Sequence, residues 1–127
     1  MALVSFGPVV ITDGDVPVNL ADALFPDRAP GTPVPLSSLT LMADGDNSGQ
    51  LYVFFTSDGA DHKGDKEGLA CLLQPCGFTG VDPDQVKTPC DRITYGPDGL
   101  SYAGIDLQNV WVQADSNGDS IIVSGTR

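Results

Sequence analysis

The chain has 127 residues, 41 % of them hydrophobic, which is one domain's worth and enough to bury a core without help from disulfides or metals. The formal net charge is −11 and only 6 residues are basic, too few to neutralise phosphates, so direct binding to DNA or RNA is excluded as a reading. No apolar run approaches the ~18 residues of a membrane span, so no membrane partner is expected.

The elements read as follows in chain order. Residues 3–15, "LVSFGPVVITDGD", form an apolar, β-branched run closed by a turn and predict a strand; residues 16–20, "VPVNL", predict a short alternating one. Residues 21–33 carry three prolines and a glycine and read as a loop, with room for one helical turn at Ala21–Leu24. In "LTLMADGDNSGQLYVFF", residues 39–55, two alternating runs flank a turn and predict a β-hairpin with apolar groups on both strand faces. Residues 56–68 are polar and Gly-rich, an exposed loop; 69–75 read as a strand, 76–90 as irregular, and 91–104 as a short strand and a turn. Two strands around Asn117-Gly118 close the chain, and that dipeptide is a strong hairpin signal.

Composition agrees with this reading. Of 17 acidic residues only Glu67 is Glu, and Asp suits turns where Glu suits helix surfaces. A weak internal repeat relates "SLTLMADGDNSGQLYVF" to "NVWVQADSNGDSIIVSG". About eight strands and little helix predict a single all-β domain, an antiparallel β-sandwich or jelly roll, with a possible N-terminal arm (1–15) and an inserted Cys-bearing region (56–92).

Three sets of residues bear on chemistry. Asp44, Asp46 and Ser48 fall on the first three ligand positions of a calcium loop and Gly49 on its glycine, but Phe55 stands where a bidentate Glu is required. A turn rich in Asp and Asn accounts for the spacing without a metal. His62, Cys71, Cys76 and Cys90 offer four zinc ligands, but their spacing is not that of a knuckle, and free thiols are the simpler reading. A Cys paired with His62 as its base is the one nucleophilic arrangement available, and no recognised catalytic motif accompanies it. The expectation is no enzyme, no cofactor and no bound metal. Trp111 with Tyr52, Phe54 and Phe55 forms an aromatic set suited to a sugar platform or to packing.

The segments "GTPVPLSSLTLMADGDNSGQLYVF" and "IDLQNVWVQADSNGDSIIVSG", residues 31–54 and 105–125, resemble small β-structured virion proteins of tailed bacteriophages, many of which decorate the head shell. The resemblance implies a capsid decoration or cement protein whose partners are the major capsid protein, other virion proteins and copies of itself. It implies location in the virion after assembly in the host cytoplasm, in keeping with a start, "MALVSFGPVV", that lacks the pattern of a secretion signal. The resemblance carries no catalytic residues. On this reading the contact residues are Leu3, Val4, Phe6, Val9, Val10 and Ile11 of the N-terminal segment, together with Trp111. The rival reading is a tail, neck or host-recognition module that binds carbohydrate or another ligand.

Overall fold

A computed structural model describes residues 3–75, 77–79, 86–88, 91–96 and 105–126. The strands are, in chain order, β1 (Leu3–Val10), β2 (Val18–Asn19), β3 (Pro35–Leu36), β4 (Ser38–Ala43), β5 (Leu51–Phe55), β6 (Leu69–Leu73), β7 (Gly77–Thr79), β8 (Val86–Thr88), β9 (Arg92–Tyr95), β10 (Ile105–Asp106), β11 (Val110–Ala114) and β12 (Ser120–Thr126). One short helix, α1 (Leu20–Leu24), follows β2, and a 3-10 turn (Leu107–Asn109) precedes β11. The chain is therefore all-β, as its alternating patterns and Asp-rich turns predict.

Two four-stranded antiparallel sheets carry the architecture. The first runs β1-β12-β4-β9 and the second β2-β11-β5-β6; two-stranded ladders β10-β3 and β7-β8 complete the set. The inward side chains of both sheets join one core. Leu39, Leu41, Ala43, Ile121 and Val123 come from the first sheet, and Leu51, Val53, Leu73, Val110, Val112 and Ala114 from the second. The period-two alternation that buries one face is strict along β4 and, from Ile121 on, along β12. The helical turn lies where the sequence leaves room for it. Asn19 caps it, its Oδ1 accepting from the Asp22 N–H at 3.0 Å, while its Nδ2 donates to the Gln108 carbonyl at 2.7 Å. Pro26 follows the last turn and cannot prolong it.

The two predicted hairpins are not hairpins. β4 belongs to the first sheet and β5 to the second; β11 belongs to the second and β12 to the first. Each half of the repeat is an arch that crosses between sheets, and the arches interlock, with β12 paired to β4 and β11 paired to β5. Backbone geometry gives the reason. A two-residue hairpin of the Asn-Gly type needs φ > 0 at both positions, and of the pair only Gly118 has it, at +87°. The Gly118 N–H donates to the Ile11 carbonyl at 2.8 Å, and the Ile11 N–H to the Asp119 carbonyl at 2.7 Å. The turn thus prolongs the ladder with the N-terminal strand instead of closing β11 on β12.

β1 lies at the edge of the first sheet, paired with β12 of the same chain, with one register shift between Ser5 and Gly7. This corrects the expectation for two contact residues. Val9 is 5 % exposed and Ile11 fully buried, because alternation turns them to the core, and neither is available to a partner. Val4 and Val10 are exposed, and Phe6 is half-buried with its ring edge-on to Phe25. The side chain of Leu3 lies outside the described residues. The Cys-bearing region is likewise no detachable insertion, because β6 pairs with β5 and sends Leu73 into the core. Residues 77–79 and 86–88, expected to be irregular, pair as a ladder.

Candidate functional site

Asp side chains organise the loops in a repeated way. Asp13, Asp44, Asp58, Asp61, Asp65 and Asp106 each accept from the backbone N–H two residues on, at 2.8–3.1 Å. The short Asp side chain reaches that N–H, and this is the physical content of the preference for Asp over Glu.

The calcium-like turn uses its oxygens internally. The Asp44 carboxylate accepts from the Asp46 N–H at 3.0 Å and from the Ser120 hydroxyl at 2.9 Å. Asn47 makes a reciprocal pair with the Ser120 backbone, both bonds 2.8 Å long. The Ser48 and Gly49 N–H groups donate to the two oxygens of Asp119, each at 2.9 Å. Ser48 therefore contributes a backbone donor, not a ligand oxygen, and the carboxylate that matters most is Asp119, which is 4 % exposed. The sequence reading passed over Asp119; its signal was its place in the second half of the repeat, opposite a turn in need of an acceptor.

Residues 57–68 of the segment 56–68, expected as an exposed loop, fold down over the outer face of the second sheet. The outer-face side chains of β5 and β11 meet loop residues, whereas Leu72 of β6 stays exposed. Gly59 lies against Trp111, so closely that a Cβ there would sit 2.7 Å from the ring, and its φ of +66° also favours glycine. The His62 ring stands beside Phe54, 6.4 Å between centroids, and the Lys66 ammonium lies 5.5 Å from the Tyr52 ring centre. Gln113, fully buried on β11, accepts from the His62 N–H at 3.2 Å and donates to Asp61 at 2.9 Å and to the Asp15 carbonyl at 3.1 Å. Lys63 reaches across to Asp15 at 2.5 Å and to the Ala114 carbonyl at 2.9 Å. Tyr52 and Phe54 are thereby buried and Trp111 half-buried, so these aromatics form no open platform. This chain's own loop also accounts for the double-sided apolar character of β5.

His62 is the centre of that loop. Its Nε2 lies 2.7 Å from Asp58 Oδ2, and its Nδ1 lies 3.0 Å from Asp65 Oδ1 and 3.3 Å from Oδ2. The bond to Asp58, seconded by Asp65, raises its pKa against the opposing effect of burial. Asp58 and Asp65 are held below the ordinary carboxylate range, first by the Ala60 and Glu67 N–H groups and then by His62. Asp61 is lowered chiefly by its bond from Gln113. The Asp115 carboxylate, accepting from the Tyr52 hydroxyl at 2.8 Å, raises the phenol's pKa.

The zinc and nucleophile readings meet this geometry directly. Cys71 lies opposite Val53 and packs on the core side of the second sheet, whereas His62 covers the outer side. The sheet separates them, so they form neither a dyad nor a shared ligand set. Burial raises the Cys71 thiol's pKa. Cys76 and Cys90 lie outside the described residues. Among the described residues one group of ligand type comes together, His62, Asp65 and Glu67, with ligating atoms within 4.8 Å of one another. Each ring nitrogen of His62 already faces a carboxylate oxygen, Nε2 that of Asp58 and Nδ1 that of Asp65.

The outer face of the first sheet differs in kind. Ser5, Ser124, Thr40 and Thr94 make one cross-strand row, and Pro8, Ile122, Met42 and Arg92 the next. These side chains are exposed or half-exposed. In a chain of net charge −11 the four strands of this sheet contain no acid, and Arg92 is their one charge. Hydroxyls on the face satisfy each other, Ser38 with Thr126 at 2.7 Å and Thr40 with Thr94 at 3.0 Å.

No helix of the described residues is long and apolar enough to cross a membrane. Neither a protein-family model, nor a curated protein, nor a solved structure matches the chain.

Proposed function

We propose that the protein is a structural component that docks on a larger protein assembly, and that this assembly is the head shell of a tailed bacteriophage, which it decorates. The observation that carries the docking is the acid-free outer face of the first sheet. Interface cores are depleted in charge relative to the rest of a surface, and this face combines apolar Pro8, Ile122 and Met42 with hydroxyls that already pair. Burying it against a partner strands no carboxylate. The acidic loops stay outside, where they keep densely arrayed copies from sticking to one another. The assignment to a phage shell rests on the resemblance of residues 31–54 and 105–125.

Co-sedimentation with undecorated capsids tests both parts. Intact protein is expected to pellet with the shells. Thr40→Asp, which places an unpaired charge in the middle of the proposed contact, is expected to weaken binding by about 2–5 kcal/mol, at least ~30-fold. Glu67→Gln, on the loop over the other sheet, is expected to bind as the parent does. Intact protein that binds no virion shell sinks the decoration reading. Full binding by folded Thr40→Asp removes this face from it.

A further inference from the structure

We infer that the 57–68 loop is a proton-operated cover, held down by His62 in its doubly protonated form and lifted when that proton leaves. A neutral imidazole has one N–H and one lone pair. Here both nitrogens face carboxylate oxygens, Nε2 at 2.7 Å and Nδ1 at 3.0 Å, so a neutral ring would set its lone pair against an anion at contact distance. Only the imidazolium donates to both. The side chain is 10 % exposed, so water has little access to take the place of either partner.

The groups around the ring favour the proton. From the loop itself Asp58, Asp61, Asp65 and Glu67 face it, against Lys63 and Lys66. Both lysines are engaged elsewhere, Lys63 with Asp15 and the Ala114 carbonyl, Lys66 with the Lys63 carbonyl and the Tyr52 ring. From β11 comes neutral Gln113, and from β5 come Phe54 and the Tyr52 phenol, which donates to Asp115. The raised pKa of His62 agrees with this balance.

The geometry also says which parts lift. Asp61 and Lys63 are fixed by Gln113, Asp15 and the Ala114 carbonyl, contacts that do not involve the His62 ring. The two limbs on either side, 57–60 and 64–67, are tied by Asp58 and Asp65 to the ring; the second is hinged at both ends, by the Lys66 N–H on the His62 carbonyl at 2.6 Å and by the Phe55 N–H on the Gly68 carbonyl at 3.0 Å. The first limb covers Trp111 through Gly59, and the second covers Tyr52 through Lys66. Loss of the proton frees both limbs about a fixed centre and uncovers the aromatic face. The inference does not depend on the docking proposal.

Because the chain has one His and one Trp, the test is clean. The pKa of His62 is read from its ring carbon-bound protons by NMR. Opening is read from acrylamide quenching of Trp111 between pH 5 and pH 9, with far-ultraviolet circular dichroism as the control for folding. Quenching is expected to rise in one step whose midpoint coincides with the His62 titration and lies above the ordinary histidine value of ~6.5. His62→Gln, with no proton to lose, is expected to abolish the step and to quench at every pH as the parent does in alkali. Asp58→Asn keeps the histidine, removes one carboxylate, and is expected to move both midpoints down together. A flat quenching profile in folded parent protein overturns the inference, as does a step that survives in folded His62→Gln. Should His62→Gln not fold, an unmoved step in Asp58→Asn overturns it equally.

Discussion

Replacing Asp119 by Ala is the sharpest test of the internal hub. Its carboxylate takes two backbone donors, from Ser48 and Gly49, at 2.9 Å each, and the residue is 4 % exposed. A hydrogen bond to a charged group contributes about 1.5–3 kcal/mol, and a donor left unsatisfied in a buried setting costs about as much as the bond did. Two such bonds put the loss at about 3–6 kcal/mol, a large share of the 5–15 kcal/mol that holds a typical domain. Asp119→Asn keeps one acceptor oxygen but turns an NH2 group toward the second N–H, and is expected to lose about 2–3 kcal/mol. Asn47→Ala removes a neutral reciprocal pair and should cost about 1–2 kcal/mol. Asp46→Asn, at an exposed side chain, should stay within about 0.5 kcal/mol. Urea unfolding with linear extrapolation ranks the four. An Asp119→Ala protein within 0.5 kcal/mol of the parent, or an Asp46→Asn protein as damaged as Asp119→Ala, would refute the view of the turn as a docking point for Asp119.

Gly118→Val is expected to cost about 1–3 kcal/mol by equilibrium unfolding, from backbone strain at φ +87° alone, since a Cβ there meets nothing within 4 Å; Gly118→Asn should cost visibly less, and equal costs would contradict the strain account. Calcium is expected to leave the thermal midpoint of the protein unchanged, because Asp44 serves Asp46 and Ser120; a rise of several degrees, lost in Asp44→Asn/Asp46→Asn, would reinstate a cation site. Stability is expected to fall with rising pH above neutrality. The folded pKa of His62 is raised, so its contribution is complete below ~6.5 and disappears as pH climbs through the folded value; urea midpoints at pH 6 and pH 9 check this, with His62→Gln flat over the same interval. In acid the sign reverses. Asp58, Asp61 and Asp65 have lowered pKa values, so their contribution is present above ~3.9 and is lost as pH falls through the folded values, and Asp65→Asn should shallow that decline.

What the sequence disclosed was local. The alternation of Leu39, Leu41 and Ala43 marked β4 and its buried face, the run 69–75 marked β6, and the surplus of Asp over Glu pointed to the turns that Asp side chains close. What it hid was non-local. Nothing within residues 38–55 says that β4 and β5 part company, because the decision is made by β12 and β11 of the other half of the repeat. Asn117-Gly118 carries a hairpin signature, yet the Gly118 N–H donates to Ile11 and Asn117 Oδ1 accepts from the Gly14 N–H, both more than a hundred residues earlier. Val9 and Ile11 looked like an arm because an apolar strand at a chain end pairs equally well with its own sheet or with a neighbour's. Segment 57–68 reads as solvent-exposed by composition, and only the outward Trp111, Gln113, Tyr52 and Phe54 of two separate strands reveal that it has something to cover. A polar residue between apolar ones in "VWVQA" was the available hint, since a buried amide such as Gln113 needs partners.

The docking proposal stands or falls on the orientation of the protein on a particle. A cryo-EM map of a virion that carries it measures this directly. The account predicts density with the outer face of β1, β12, β4 and β9 against the shell and the 57–68 loop toward solvent. Density with that face open to solvent, or a particle that carries no such protein, would contradict it.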